Sequence, residues 1–193
     1  MMKRIGVLAL QGDVDEHINA LLKASEKIDT PVQVVEVRTP QEAEGIDGII
    51  IPGGESTAIS LLMERAGLFE PVRKVRKIMG TCAGAIMLAK KVEGATQSQR
   101  FLSLMDMAIS RNAYGSQLDS FEALLDTKFG EVNGVFIRAP RITAILGSRV
   151  KPLAFYREET VAAYQQEGER HYIATTFHPE LTTTKFHEFF ISL

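Results

Sequence analysis

Short apolar, β-branched runs alternate with stretches of helical period through the first half of the chain, and this alternation constrains the fold more than any other feature. The runs predict β-strands at residues 5–10, 32–37, 48–51 and 78–80. Strands that are joined through helices pair in parallel, because each helical crossover returns the chain to the edge where the previous strand began. The sequence therefore predicts an α/β fold with a mostly parallel central sheet flanked by helices.

Three helices are predicted between and after these strands. The first follows Asp13, a suitable N-cap, and ends before Pro31. The second follows Pro52-Gly53-Gly54, where glycine permits a tight turn, and the third spans residues 83–91. The apolar residues at helical spacing, which define the buried faces of the first two helices, are Val14, Ile18, Leu21, Leu22, Ile28, Ile59, Leu62 and Met63.

The second half of the chain has a different pattern. Strand-like runs at residues 135–138, 153–156, 160–165 and 171–176 are separated by short polar turns, which predicts an antiparallel C-terminal extension of the sheet. Glu167-Gly168-Glu169 has the composition of a hairpin loop. Residues 182–193 are expected to form a closing helix with its phenylalanines inward, and residues 1–193 to form a single domain.

Charge and cysteine content narrow the function classes. The net charge of -2 is spread along the chain, which argues against a surface for nucleic-acid phosphates. The apolar stretch at residues 5–10 is too short for a signal peptide or a membrane span. A single cysteine cannot form an internal disulfide and is typical of a reducing compartment, so a cytoplasmic protein is expected.

Gly80-Thr81-Cys82-Ala83-Gly84 lies between a predicted strand and a predicted helix, and it has the pattern of a nucleophile elbow with cysteine as the nucleophile. Such a turn requires small neighbours and lifts the sulfur above the sheet, while the positive end of the following helix dipole favours the thiolate. The backbone N–H of Ala83 would face the same point. The alternative is that Cys82 is a small buried core residue, the usual environment of an isolated cysteine.

Phe177-His178-Pro179-Glu180 supplies the groups that a cysteine nucleophile requires. The imidazole of His178 is a candidate general base, and the carboxylate of Glu180 could orient it and favour its charged form. His178 differs from the other histidines because it follows a predicted strand and precedes Pro179 and Glu180. Surface or structurally satisfied positions are expected for His17, His171 and His187.

Gly53 and Gly54 precede Glu55 and Ser56 at the end of another predicted strand. Because this loop lies at the carboxyl edge of the sheet, close to the elbow, its glycine N–H groups are candidates for an oxyanion hole. An ordinary strand-to-helix turn is the alternative interpretation of the same residues.

Together these motifs resemble the class I (triad) glutamine amidotransferases, whose fold is flavodoxin-like, and more closely the family of glutaminase subunits of pyridoxal 5'-phosphate synthase. The elbow and the His-Pro-Glu string are shared by triad glutaminases. The Gln-Gly, Arg-Asn-Ala-Tyr-Gly and Phe-Ile-Arg-Ala-Pro strings are typical of the vitamin B6 branch. The resemblance covers nearly the full chain, and its motifs are residues 5–12, 52–57, 80–84, 111–115, 119–122, 136–140 and 177–182.

The resemblance implies that Cys82 is the nucleophile, that His178 is the base and that Glu180 orients this base. Arg111 or Arg138 could bind the α-carboxylate of glutamine in bidentate fashion, although arginine is often only a solvated surface charge. Ser116 departs from the family, which usually has arginine before Gln117, and this affects a neighbouring salt bridge or partner contact. The other implied roles are a glutamine pocket lined by Gly54, Glu55, Ser56, Arg111, Ile137 and Arg138, an oxyanion hole at Gly54 and Ala83, and a partner-sensing Gln11.

The activity implied by the resemblance is hydrolysis of L-glutamine to glutamate and ammonia through a γ-glutamyl thioester, with no metal and no organic cofactor. The implied partner is a synthase subunit of the PdxS/SNZ type, which condenses the ammonia with a pentose phosphate and a triose phosphate into pyridoxal 5'-phosphate. One alternative is a glutaminase subunit of another synthase, as in histidine or purine biosynthesis. The other is a cysteine-dependent stress or chaperone-like protein, which would not need the His-Pro-Glu string.

Overall fold

The computed structural model describes residues 2–96, 98–111 and 120–193. Within these ranges the backbone forms two β-sheets and a set of α-helices. The strands are β1 Lys3–Leu8, β2 Val32–Val37, β3 Gly48–Ile51, β4 Lys77–Thr81, β5 Ala89–Glu93, β6 Met105–Ser110, β7 Ser120–Thr127, β8 Val132–Ile137, β9 Arg141–Ile145, β10 Val150–Tyr156, β11 Glu159–Glu167 and β12 Arg170–Thr175. The helices are α1 Val14–Lys27, α2 Ser56–Arg65, α3 Phe69–Lys74, α4 Ala83–Leu88 and α5 Lys185–Ser192, and a 3-10 helix spans Pro179–Leu181.

The larger sheet has a parallel half, in the order β2-β1-β3-β4-β12. All four strands predicted in the first half of the chain are present here, and β2 and β3 have the predicted bounds. β1 begins at Lys3 rather than at residue 5 because its ladder with β2 starts with Lys3 opposite Val32. The predicted α/β fold with parallel strands between helices is confirmed.

The same sheet continues as an antiparallel half, in the order β12-β11-β10-β7-β8. This arrangement confirms the predicted antiparallel extension. Glu167 pairs with Arg170 across the turn, so Gly168 and Glu169 form a two-residue hairpin loop, in which Gly168 has a φ of +60°. The sequence pattern does not predict β7, which lies between β10 and β8.

The helix predicted at residues 83–91 is wrong in its last three residues. α4 ends at Leu88, and the following residues form β5, which pairs with β6 in a separate sheet ordered β5-β6-β9. Pairing with a strand that is distant in sequence overrides the local helical propensity of this segment. The sequence pattern predicts none of the three strands in this smaller sheet.

The predicted buried face of α1 is only partly correct. Leu21 is buried as expected, but Leu22 is 44% exposed, and His17 is fully buried. Asp13 occupies the N-cap position but makes no side-chain capping hydrogen bond. α5 begins at Lys185 rather than at residue 182, and its phenylalanines pack on the core as predicted.

Apolar clusters cover both faces of the larger sheet, one under α1 and α5 and the other under α2, α3 and α4. Neighbouring parallel strands β1, β3, β4 and β12 end at the same edge, so the loops that follow them converge there. A membrane crossing would need a longer and more apolar helix than any in the described ranges.

Candidate active site

Cys82 lies in the sharp turn between β4 and α4, with a left-handed φ of 48° and a ψ of −105°. The turn has no room for larger neighbours. A Cβ at position 80 would lie 2.3 Å from the carbonyl oxygen of Gly84, and a Cβ at position 84 would lie 2.0 Å from that of Ile51. A non-glycine residue with positive φ is strained, so the packed glycines hold Cys82 in a conformation that it would not adopt alone.

His178 reaches Cys82 through the register of two parallel strands. Thr175 at the end of β12 pairs with Thr81 at the end of β4, and the Cys82 N–H donates to the Thr175 carbonyl at 2.8 Å. The His178 N–H donates to the Val135 carbonyl in β8 at 2.9 Å, which fixes the backbone of the histidine. The Cys82 side chain is close enough to the imidazole to raise the pKa of His178.

Two carboxylates face the second nitrogen of this imidazole. His178 Nδ1 lies 2.7 Å from Glu180 Oε1 and 3.2 Å from Asp13 Oδ2. The Glu180 side chain is fully buried, whereas that of Asp13 is 40% exposed. Sequence reasoning missed Asp13, because a residue just before a helix is normally interpreted as a cap.

The electrostatics of this cluster favour a protonated imidazole. Burial opposes the charged form of His178, but hydrogen bonds with Asp13, Cys82 and Glu180 outweigh it and raise the pKa of His178 to about 12. Burial raises the pKa of Glu180, against the lowering effect of His178. Both shifts favour retention of a proton, so the His178–Glu180 pair keeps its shared proton at neutral pH. The hydrogen bond from His178 lowers the pKa of Asp13.

The described residues contain one cluster of potential metal ligands, formed by Asp13, His178 and Glu180. One ligand atom from each of these side chains lies within 4.8 Å of the other two. Both carboxylates, however, face the same nitrogen of His178. That nitrogen donates to a carboxylate when it is protonated, and it then has no lone pair for an ion. The cluster is therefore built as an acid–base group.

The glycine loop after β3 lies against this group. A Cβ at position 53 would lie 2.4 Å from His178 Cε1, so only glycine fits beside the imidazole. Gly54 has a φ of +145°, and the next N–H, of Glu55, donates to Gln11 Oε1 at 3.0 Å. Gln11 therefore holds the loop that the sequence predicts as an oxyanion hole.

Arg111 is hydrogen-bonded to side chains that follow the glycine loop after β3, and to Gln99 from a separate segment of the chain. Its guanidinium donates to Gln99 Oε1 at 2.9 Å, to Glu55 Oε1 at 3.1 Å and to Thr57 Oγ1 at 3.2 Å. Gln99 in turn donates to Ser56 Oγ at 3.2 Å. No local motif marks Gln99, and sequence reasoning did not identify it.

A cavity of about 370 Å³ brings the predicted residues together. Cys82 lies at its surface with 6% exposure, 3.8 Å from the carbonyl oxygen of Ile137. Glu180 lies behind His178 and does not line the cavity. The lining residues that the sequence predicts are Gln11, Gly54, Glu55, Ser56, Cys82, Ala83, Arg111, Ile137, Arg138 and His178, and those that it misses are Asp13, Ile86 and Pro140.

Part of one motif is not described by the structure. Arg111 belongs to the described residues, but the rest of the Arg-Asn-Ala-Tyr-Gly string, Ser116, Gln117 and Asp119 lie outside them. The consequence of Ser116 for a neighbouring salt bridge therefore stays a prediction.

Comparison with known proteins points to one family. The model of the SNO glutamine amidotransferase family matches residues 7–193. The chain is 51% identical over 195 residues to the pyridoxal 5'-phosphate synthase subunit PdxT of Pyrococcus horikoshii, with 97% of each chain covered. It is 50% identical over 197 residues to the PdxT subunit of Thermococcus gammatolerans, with 98% of each covered. A solved structure described as a glutamine amidotransferase matches with a TM-score of 0.82 and 38% identity, covering 97% of both chains.

Proposed function

The chain belongs to the SNO glutamine amidotransferase family, and we propose that Cys82, His178 and Glu180 are the catalytic triad of its single glutaminase domain. The protein hydrolyses L-glutamine to glutamate and ammonia, and the ammonia is used for pyridoxal 5'-phosphate synthesis. One observation carries the triad assignment: a strained elbow cysteine lies beside an imidazole whose pKa it raises, and the Nδ1 of that imidazole lies 2.7 Å from a buried carboxylate.

In the proposed reaction the Cys82 thiolate attacks the side-chain carbonyl carbon of glutamine. His178 donates its proton to the departing nitrogen, and the C–N bond breaks to release ammonia. The raised pKa of His178 supports this role, because the imidazole begins in the form that can donate. Water then attacks the thioester while the neutral imidazole accepts a proton, and glutamate leaves.

Backbone N–H groups of Ala83 and Gly54 are the proposed oxyanion donors. Ala83 begins α4, and the first N–H groups of a helix have no partner within it. Gly54 lies in a conformation that favours glycine, next to the peptide whose N–H is held by Gln11. A change at Gln11 would therefore reorient this loop at little conformational cost.

The cavity residues Glu55, Arg111 and Arg138 are proposed to bind the amino-acid end of glutamine. This end carries an ammonium and a carboxylate, so the pocket must offer both an acceptor and a cationic donor. Glu55 offers the acceptor, and the two arginines offer donors. The contacts of Arg111 with Glu55 and Gln99 fix its guanidinium before substrate binds. Ser56 and Ile137 complete the proposed wall.

The ammonia is proposed to pass to a synthase subunit of the PdxS type. The relatives named above support a partner of this kind, because their names describe one subunit of a synthase. Gln11 is proposed to sense that partner through its contact with the Gly54–Glu55 loop. The isolated chain is then expected to be a weak glutaminase, since docking must first shift the loop into its active arrangement.

Glutamate release, measured with and without the synthase subunit, tests this proposal. The rate is expected to rise at least about 10-fold on addition of the partner, because one missing oxyanion donor alone can reduce turnover by more than that. Gln11→Ala should reduce the increase while leaving the fold intact. A complex that releases no glutamate contradicts the glutaminase assignment. A free chain that is as fast as the complex contradicts only the activation by the partner.

A further inference from the structure

Two buried histidines lie behind the proposed triad, on helices that contribute no catalytic residue. His17 on α1 and His187 on α5 are both fully buried, and neither lines the glutamine cavity. Their rings contact each other, with His17 Nδ1 3.0 Å from His187 Nε2. The other nitrogen of His17 lies 3.0 Å from Thr81 Oγ1, directly before Cys82 in the chain.

His17 also faces the oxygen of Glu180 that the triad does not use. Glu180 Oε1 is 2.7 Å from His178 Nδ1. The other oxygen, Oε2, is buried and has no hydrogen-bond partner among the described residues. His17 Nε2 lies 3.5 Å from this oxygen. A buried carboxylate oxygen without a donor is unfavourable, so this nitrogen is the natural partner of Oε2.

One arrangement of the protons suits these buried groups best. If His17 Nε2 carries the proton, it is hydrogen-bonded to Thr81 Oγ1 and lies 3.5 Å from Glu180 Oε2, and His17 Nδ1 accepts from the Nε2–H of His187. His187 Nδ1, which has no partner among the described residues, is then a bare acceptor. The reverse arrangement would bury an unpaired N–H at His187 and leave Glu180 Oε2 without a donor.

We propose that His17 is a positioning residue of the glutaminase triad, whose Nε2–H, set by His187, holds Oε2 of Glu180 and thereby keeps Oε1 directed at His178. This inference rests on the proposed triad. The terminal torsion of a glutamate side chain is broad, so two anchored oxygens fix the carboxylate where one would not. The contact with Thr81 links the same imidazole to the strand that carries the nucleophile.

The charge state of the histidine pair supports this role. Burial lowers the pKa of His17 well below its usual value, and burial lowers that of His187 to about 3. The titratable groups that face His17 are His187 from α5, and His178 and Glu180 from the segment after β12. Both buried rings are therefore neutral at physiological pH, and they orient Glu180 by hydrogen bonding.

An isosteric pair of variants separates this role from simple packing. His17→Gln keeps an N–H donor, whereas His17→Met has a similar shape and none. In the complex with the synthase subunit, His17→Met should lower kcat on the order of 10- to 100-fold, as expected for loss of a hydrogen bond to a charged group. KM for glutamine should stay within about 2-fold, because His17 does not touch the cavity. His17→Gln should recover most of kcat.

A second measurement requires neither partner nor glutamine. Cys82 is the single cysteine of the chain, so its alkylation rate by iodoacetamide reports on the thiolate alone. A looser Glu180 stabilises the imidazolium of His178 less and therefore the neighbouring thiolate less. The alkylation profile, the extent of labelling against time at a fixed neutral pH, should be slower in His17→Met and stay near that of the wild type in His17→Gln.

Gln165→Met is the matched control, because Gln165 is fully buried and bonded to the backbone of Leu104 and Asp106, away from the site. It should lower stability without moving the alkylation profile. If His17→Met does not fold, His187→Met compared with His187→Gln makes the same test. An active wild-type complex with equal kcat and equal profiles for the Met and Gln variants overturns the positioning role. An inactive wild-type complex would instead refute the proposed function.

Discussion

The two halves of the larger sheet contribute different things to the site. In the parallel half, the segments after β1, β3, β4 and β12 carry Gln11, Gly54, Cys82 and His178. The antiparallel half contributes Ile137 and the exposed Arg138 from the end of β8, and the smaller sheet contributes Arg111 after β6.

This division follows from strand direction. Parallel neighbours end at one edge, so several loops can place reactive groups within hydrogen-bond distance of each other. The carboxyl ends of antiparallel neighbours lie at opposite edges, so each such strand pair offers the site at most one carboxyl end. The parallel half is therefore expected to carry the reaction steps and, through Glu55 and Ser56, part of the pocket, whereas the other strands are expected to contribute to substrate binding alone.

The largest effect is expected from the proposed nucleophile in the parallel half. Cys82→Ala should still bind glutamine, but turnover should fall by several orders of magnitude, since the carbonyl has nothing to react with. Glutamine binding by calorimetry and glutamate release by a coupled assay measure the two parts separately. Glutamate release near the wild-type rate would remove Cys82 from the mechanism.

The next effect concerns the proposed base and the carboxylate beside it, which should act as one unit. His178→Asn should be nearly inactive, Glu180→Gln should retain more activity, and the double variant should resemble His178→Asn alone. The reason is that Glu180 faces the substrate cavity only through the imidazole. Steady-state kinetics of the three variants measure this coupling, and additive losses would mean that Glu180 acts elsewhere.

The sequence predicts the local motifs of the parallel half, but it does not predict the contacts between residues that are distant in the chain. Small residues around Cys82 and the string at His178 are fixed by backbone geometry within a few residues. The contacts of Asp13 with His178 and of Gln99 with Arg111 join segments that only the fold brings together. The first three residues of β5 are predicted as helix for the same reason. A local pattern does not show that this segment pairs with β6.

Substitutions in the other strands should affect binding rather than chemistry. Arg111→Ala and Arg138→Ala should raise KM for glutamine on the order of 10- to 100-fold, if each removes one charge-assisted contact, with a smaller change in kcat. Arg141→Ala is the matched control, because this exposed arginine pairs with Glu159 and does not line the cavity. A loss confined to kcat would break the proposed division between the two regions.

A separate effect, on stability rather than on activity, concerns unfolding in acid, which the histidines packed on the parallel half should influence. Burial lowers the pKa of His187 to about 3 from an ordinary 6.5, so the unfolded chain takes up a proton that the folded chain does not. This stabilising contribution is present above pH 6.5 and is lost as the pH falls from 6.5 toward 3, at about 1.4 kcal/mol per pH unit.

Urea unfolding at several pH values measures this contribution. In His187→Met the free energy of unfolding should fall less steeply between pH 6.5 and pH 4 than in the wild type. His171→Met serves as the comparison, because His171 is only partly buried and its pKa is lowered less. Parallel curves for His187→Met and the wild type would show that His187 takes up its proton equally in the folded and the unfolded protein.

The most direct test of the division between the two regions is labelling with an electrophilic glutamine analogue, such as a diazo ketone, followed by peptide mass spectrometry. The account predicts one modification, on Cys82, that glutamine slows and that abolishes glutamate release in proportion to its extent. In His178→Asn, labelling of Cys82 should be much slower. In Arg138→Ala, labelling should need a higher concentration of the reagent but should still modify Cys82. Inactivation without a label on Cys82, or labelling that glutamine does not slow, would contradict it.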